Sequence, residues 1–149
     1  MSTPLKFVTA SLEDMDYLLA LRKNTMVEHL KSSGIVYNDE QHKARILDCF
    51  DCVHLIYRND GCVGAIKYHV GDSRIDIMQL QVDPNFQNQG IGGQVVKQIF
   101  ATHPDVDCYL TVLKFNPAKG LYVRLGFEQY GEDELEFHMR CLGKNDNCA

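Results

Sequence analysis

Seven consecutive residues in the middle of the chain, Gln87-Asn88-Gln89-Gly90-Ile91-Gly92-Gly93, have the composition to hold an anion. Glycine lets a backbone approach a ligand with no Cβ in the way. Val95, Val96, Ile99 and Phe100 follow Ile91 at helical spacing, so a helix begins inside this run. The first N–H groups of a helix lack partners within it and sit at the positive end of its dipole, which favours a phosphate there. A strand-like run from Ile75 to Val82 and the polar turn Asp83-Pro84-Asn85-Phe86 come just before. Strand, glycine turn and helix N-terminus together predict an anion cradle; without a ligand the same glycines would make a plain turn. Spacing excludes two cradles. A dinucleotide fingerprint needs glycine where Val95 stands, and a Walker loop needs a Gly-Lys-Ser/Thr triplet, which is absent.

The residues that are present, Gln81-Val82-Asp83-Pro84 followed by Gln87-x-x-Gly90-x-Gly92, then Asn116, Tyr122 and Leu125-Gly126-Phe127, resemble the pattern of the GCN5-related N-acetyltransferases. The resemblance runs from Leu5 to Cys141 and is specific between Gln79 and Phe127. It implies an α/β fold with a mixed, mostly antiparallel central sheet flanked by helices and a bulged central strand. It further implies acetyl-coenzyme A in a cleft, its acetyl group passing directly to an amine. The N–H groups of Asn88, Gln89, Gly90, Ile91, Gly92 and Gly93 would hold the pyrophosphate, with Gln87 bracing the loop. The backbone at Leu80, Gln81 and Val82 would pair with the pantetheine arm as an added strand. Asn116 would bind the far side of that arm, although this chain has one residue fewer between Asn116 and Tyr122 than many relatives.

Such a reaction needs three things. An alkylamine of pKa about 10.4 is free base in only about one part in a few thousand near pH 7, so a base must take a proton. The thioester oxygen becomes an oxyanion, for which an unpaired N–H of the bulged strand is the expected donor. The leaving thiolate gains from a proton donor. The resemblance gives that role to Tyr122, which would also pack beside Leu121 and Leu125. Asp76 stands eleven residues before Gln87, where relatives place a catalytic glutamate. It is the expected base, or else a solvated residue of the strand's polar phase paired with a neighbour. Glu28, His29, Glu134, Glu136 and His138 are secondary candidates on the elements that flank the acceptor side. The acceptor itself would be met by residues 22–45 and 129–140, which carry no diagnostic pattern, so small amines, amino acids, antibiotics and protein amino groups all remain open. A non-catalytic acyl-coenzyme A-binding sensor or scaffold is the competing reading. Homodimers are common in the family.

Composition narrows the rest. The net charge is −5 with no lysine- or arginine-rich run, which argues against nucleic acid and mildly favours a cationic acceptor. No apolar run approaches a membrane span, and Met1-Ser2-Thr3-Pro4-Leu5-Lys6 has no signal-peptide core, so a cytoplasmic location is expected. Six cysteines stand at 49, 52, 62, 108, 141 and 148. Cys49 and Cys52 form a Cys-x-x-Cys, but no second close pair completes a zinc site, so free thiols and no metal are expected.

The elements that must position these groups can be read in order. Leu5 to Val8 suggests a first strand. Ser11 and Asp14 form a capping box for a long helix with Leu12, Met15, Leu19, Met26 and Leu30 on its apolar stripe. Arg22 interrupts that stripe, at the core edge or on a cleft wall; Gly34 ends the helix. Asp39 caps a second helix through Ala44, Ile46, Leu47 and Phe50. Val53–Tyr57 and Cys62–Val70 form a hairpin through Asn59-Asp60-Gly61. In the central strand Ile75 and Ile77 lie on one phase of the alternation, Leu80 and Val82 on the other. This slip predicts a β-bulge near Met78 and Gln79. Cys108–Lys114 is a further strand, and Asn116-Pro117 opens a short helix with Ala118, Leu121, Tyr122 and Leu125 inward. Leu135, Phe137 and Met139 alternate as a last strand. A single domain over residues 1–142 and a polar, disordered tail over residues 143–149 are expected.

Overall fold

The computed structural model describes residues 4–143; most of the polar tail, residues 144–149, lies outside the described residues. Strands β1 (Leu5–Thr9), β2 (Val53–Arg58), β3 (Gly61–Val70), β4 (Arg74–Val82), β5 (Asp107–Leu113), β6 (Glu128–Glu132) and β7 (Glu136–Cys141) alternate with helices α1 (Met15–Ser32), α2 (Asp39–Leu47), α3 (Ile91–Thr102) and α4 (Lys119–Arg124). They form one seven-stranded sheet in the order β1-β2-β3-β4-β5-β7-β6. Every neighbouring pair is antiparallel except β4 and β5, which run parallel and are joined through α3, the crossover that a parallel pair requires. The mixed, mostly antiparallel sheet expected from the sequence is the one observed.

Both faces of the sheet are covered. Ile91, Val95, Val96 and Ile99 of α3 are 2% exposed or less and pack on Ile56, Ile66, Ile75 and Ile77. Burying side chains of this size contributes about 1.5–3 kcal/mol each relative to leaving them in water. On the opposite face Leu18 and Leu21 of α1 and Ile46 of α2 pack on Val53, Leu55 and Ala65. Gln98 of α3 brackets Leu5, accepting its N–H at 2.8 Å and donating to its carbonyl at 2.9 Å, which docks edge strand β1. Lys67 reaches from β3 under α2, donating to the Arg45 carbonyl at 2.7 Å and to the Asp48 carbonyl, and so caps the negative end of that helix. Among the described residues no helix is long and apolar enough to cross a membrane.

Four local expectations are corrected. Ser11 donates its N–H to Asp14 at 2.8 Å, but residues Leu12–Asp14 form a 3₁₀ turn before α1 begins. The tighter turn changes the helical phase, so Leu12 is 69% exposed and the buried set is Leu18, Leu21, Arg22 and Leu30. Asn38, not Asp39, caps α2, exchanging bonds of 2.9 Å with Gln41 at both ends of a capping box; Asp39 instead pairs with Lys23 of α1. Helix α4 starts at Lys119, because Asn116 and Pro117 lie in the turn before it. Leu135 lies outside β7 and is 38% exposed, while β6 carried no alternation to reveal it.

The bulge lies where the alternation slipped. The β3–β4 register passes from Lys67↔Gln79 to Tyr68↔Ile77, leaving Met78 as the extra residue. Ile75, Ile77, Leu80 and Val82 thereby all reach the same core. The β4–β5 pairing covers only Arg74–Ile77 against Asp107–Leu110, so the two strands part beyond Ile77. On its other edge, distal β4 is held tightly by Gly64 of β3, whose missing Cβ would stand 2.2 Å from the Gln81 carbonyl oxygen. Gly64→Ala should therefore lower unfolding stability by about 1–3 kcal/mol or more in urea titration, since backbone must move to admit the methyl. An unchanged midpoint would show that β4 is not clamped there.

Candidate active site

The parting of β4 from β5 opens a cleft of about 430 Å³. Leu80, Gln81 and Val82, paired with β3 but not with β5, form one wall. Phe86, Gln87, Asn88 and Gly90 lie at one end, continuing into Ile91, Gly92 and Gly93 at the start of α3. Asn116, Pro117, Ala118, Leu121, Tyr122 and Arg124 supply the wall around α4, and Thr25, Met26 and His29 supply one from α1.

The glycine end is built for exposed N–H groups. Asp83 accepts the Asn85 N–H at 3.0 Å and fixes the turn that leaves β4; Gln87 then donates its side-chain amide to the Val82 carbonyl at 3.0 Å. Asn88 (φ +64°) and Gly90 (φ +78°) take left-handed conformations, which reverse the chain so that α3 begins at Ile91. No acidic side chain stands in the first turn of α3 to compete for its N–H groups. A Cβ at Gly92 would meet Leu121 Cδ2 at 3.3 Å, so this glycine also lets α3 approach α4. Gln89 is not on the cleft wall: it accepts from Arg58 at 2.9 Å, and Arg58 lies over the Phe86 ring. That contact brings a guanidinium close to the loop.

On the α4 side, Asn116 Oδ1 accepts the Ala118 N–H at 2.9 Å, which leaves its amide NH₂ as the group to offer a ligand. Tyr122 is 7% exposed, packs edge-on against Phe127 with ring centroids 5.7 Å apart, and lines the cleft. Burial pushes its hydroxyl up to about 12, so it stays protonated at neutral pH. Gln81 is 7% exposed, and its Nε2 has no hydrogen-bond partner among the described residues. Such a buried, unpaired donor is uncommon.

Two residues are held elsewhere. Asp76 does not line the cleft; its carboxylate pairs with Arg74 (Nη2 2.5 Å, Nε 3.1 Å), and Arg74 stacks on Tyr109 at 3.8 Å. The pairing alternative for Asp76 is the geometry observed. Arg22 is 4% exposed in the layer between α1 and α2, donating to His42 Nδ1 at 3.1 Å, and is not on the cleft wall. Thr25, Met26 and Arg124 are wall residues that sequence reasoning missed; the spacing 25, 26 and 29 marks one face of α1 and was the signal available. Cys49 and Cys52 are free thiols, and among the described residues no group of three or more His, Cys, Asp or Glu side chains converges as a metal site.

The model of the acetyltransferase (GNAT) domain matches residues 50–129, more than half of the chain. No curated protein sequence matches. Among solved structures, the PaiA N-acetyltransferase of Thermoplasma acidophilum in complex with coenzyme A is 16% identical, with 95% of this chain and 99% of that one covered at a TM-score of 0.69. An acetyltransferase of Thermus thermophilus is 17% identical over 94% and 98% of the two chains at 0.74. Arabidopsis thaliana Naa50, complexed with the bisubstrate analogue CoA-Ac-MVNAL, is 21% identical over 91% and 97% at 0.62. At these identities the structures show a shared fold, and together with the domain match they establish that the chain belongs to the GNAT acetyltransferase family.

Proposed function

We propose that the protein moves the acetyl group of acetyl-coenzyme A directly to a primary amine of a small molecule or peptide. The observation that carries this reading is the cleft itself: an unpaired strand edge at Leu80–Val82 leading from a glycine-rich helix N-terminus to Tyr122. Acetyl-coenzyme A supplies an activated acyl thioester and a polyanionic handle. The chain's features fit both parts. The N–H groups of residues 88–93 would hold the diphosphate, with no acidic side chain in the first turn of α3 to compete and no side chains at Gly90, Gly92 and Gly93. The free backbone of β4 accepts the amide-bearing arm as a strand would, and Asn116 offers its NH₂ from the other wall. An N–H on the unpaired part of β4 stabilises the oxyanion, and the Tyr122 hydroxyl protonates the departing sulfur. Arg124 adds a positive charge to the cleft wall.

The competing reading is a non-catalytic acyl-coenzyme A-binding module. The pairing of Asp76 with Arg74 favours it, because the carboxylate expected to act as base is engaged outside the cleft. Binding does not separate the two readings. Turnover does.

Tyr122→Phe should lower kcat about 10²-fold or more while the Kd for coenzyme A, read by calorimetry, stays within about twofold. Equal kcat would assign Tyr122 to packing alone. Gly92→Glu should abolish coenzyme A binding in the same calorimetric assay, by adding both bulk beside Leu121 and a negative charge to the cradle. Full affinity in that variant would remove the cradle from the account.

A further inference from the structure

We propose that His29 is the base that takes the acceptor's proton. The inference rests on the acetyltransferase reading and assigns the role that the Asp76 geometry leaves open. A base must reach the reacting amine directly or through one water, so it must belong to the cleft wall. Among the described residues on that wall the ionisable side chains are His29, Tyr122 and Arg124. The guanidinium of Arg124 has no lone pair to offer. Tyr122 is held protonated by its burial. Imidazole remains, and it is the side chain suited to exchanging protons near neutrality.

The candidate carboxylates lie elsewhere, exposed Glu134 included. Asp76 is paired with Arg74, Glu132 with Lys114 at 2.6 Å, and Asp133 with His138 at 2.9 Å. Glu136 accepts from Thr111 at 3.0 Å, and exposed Glu28 lies outside the wall although adjacent to His29 in sequence. Around the cleft, α4 contributes Tyr122 and the cation Arg124. β4 and the glycine loop contribute only uncharged side chains, among them Gln81, Gln87 and Asn88.

The backbone at His29 is fixed by the end of α1. Its carbonyl accepts from the Ser33 N–H at 3.2 Å and the Ser33 hydroxyl at 3.0 Å. The helix end is then closed by Gly34 (φ +81°), with Ile35 N–H donating to the Leu30 carbonyl at 2.8 Å. Half-buried His29 therefore projects from a terminated turn of α1, one turn beyond Thr25 and Met26 on the same wall. Base and acid come from different helices, His29 from α1 and Tyr122 from α4.

His29 takes one proton from the ammonium nitrogen and passes it to solvent. The freed lone pair forms the C–N bond at the thioester carbon. As the tetrahedral centre collapses, the C–S bond breaks, the sulfur receives the Tyr122 proton, and the second proton lost by nitrogen restores Tyr122. One proton ends on coenzyme A and one in solution.

The test measures kcat/KM against pH for wild type and His29→Gln, using the alkylamine that wild type turns over fastest in a panel of amines. Coenzyme A affinity and melting temperature serve as fold controls. The expected result is a loss of about 10²-fold or more near pH 7, shrinking steadily as the pH approaches about 10 and the ammonium deprotonates unaided. Equal rates near pH 7 would overturn the assignment, and so would a deficit that is constant with pH, which is the mark of a structural role. Both of those outcomes leave the acetyltransferase reading standing. Wild type that binds coenzyme A but releases no thiol with any amine at any pH would overturn that reading and this inference with it.

Discussion

The structure depends on one irregularity in hydrogen bonding: the extra residue at Met78. A regular β4 would continue its parallel pairing with β5 past Ile77 and Leu110, and the sheet would be closed where the cleft now lies. The bulge turns Leu80 and Val82 onto the same core as Ile75 and Ile77, so apolar burial holds the bent strand in place. Gly64 clamps its other edge, since only a residue without a Cβ fits against the Gln81 carbonyl. The edge of distal β4 that faces away from β3 is thus held without a strand partner by the packing around it. Backbone groups left unpaired in a protein interior are costly, and a ligand that pairs with them recovers that cost.

The two ends of the cleft are set by different physics. At one end the determinant is backbone geometry: left-handed turns at Asn88 and Gly90 aim the N-terminus of α3, and small residues at Gly92 and Gly93 let α4 approach through Leu121. At the other end it is desolvation. Tyr122 is buried against Phe127, which suppresses ionisation and keeps a proton available for donation. Gly92 and Gly93 of α3 meet Leu121 of α4, so the packing that stabilises the fold also holds these two parts of the cleft together.

Much of this was readable in the chain. The bulge showed itself as a slip in alternation because both halves of β4 must bury apolar residues on one face. The left-handed turn into α3 showed itself in the Gly90-x-Gly92 spacing before a helical stripe. Other features had no such signature. β6 reads Glu-Gln-Tyr-Gly-Glu, and with neither face buried it has no period to detect. The buried face of α1 could not be phased from Leu12, because a 3₁₀ turn intervenes. Asp76 could have been paired in advance: Arg74 lies two residues earlier, hence on the same face of the strand, with opposite charge. The α1 wall of Thr25, Met26 and His29 depends on how that helix is seated on the sheet, which tertiary packing decides.

The central claim is that the cleft transfers an acetyl group and does not merely bind its carrier. The most direct measurement is free thiol release from acetyl-coenzyme A against a panel of amines, amino acids and peptides, with a protein-only blank for the chain's six cysteines. Release that depends on the amine, together with recovery of the acetylated product, is the predicted result. Absence of amine-dependent release across the panel, from protein whose melting temperature still rises with coenzyme A, would contradict the claim and leave a binding module.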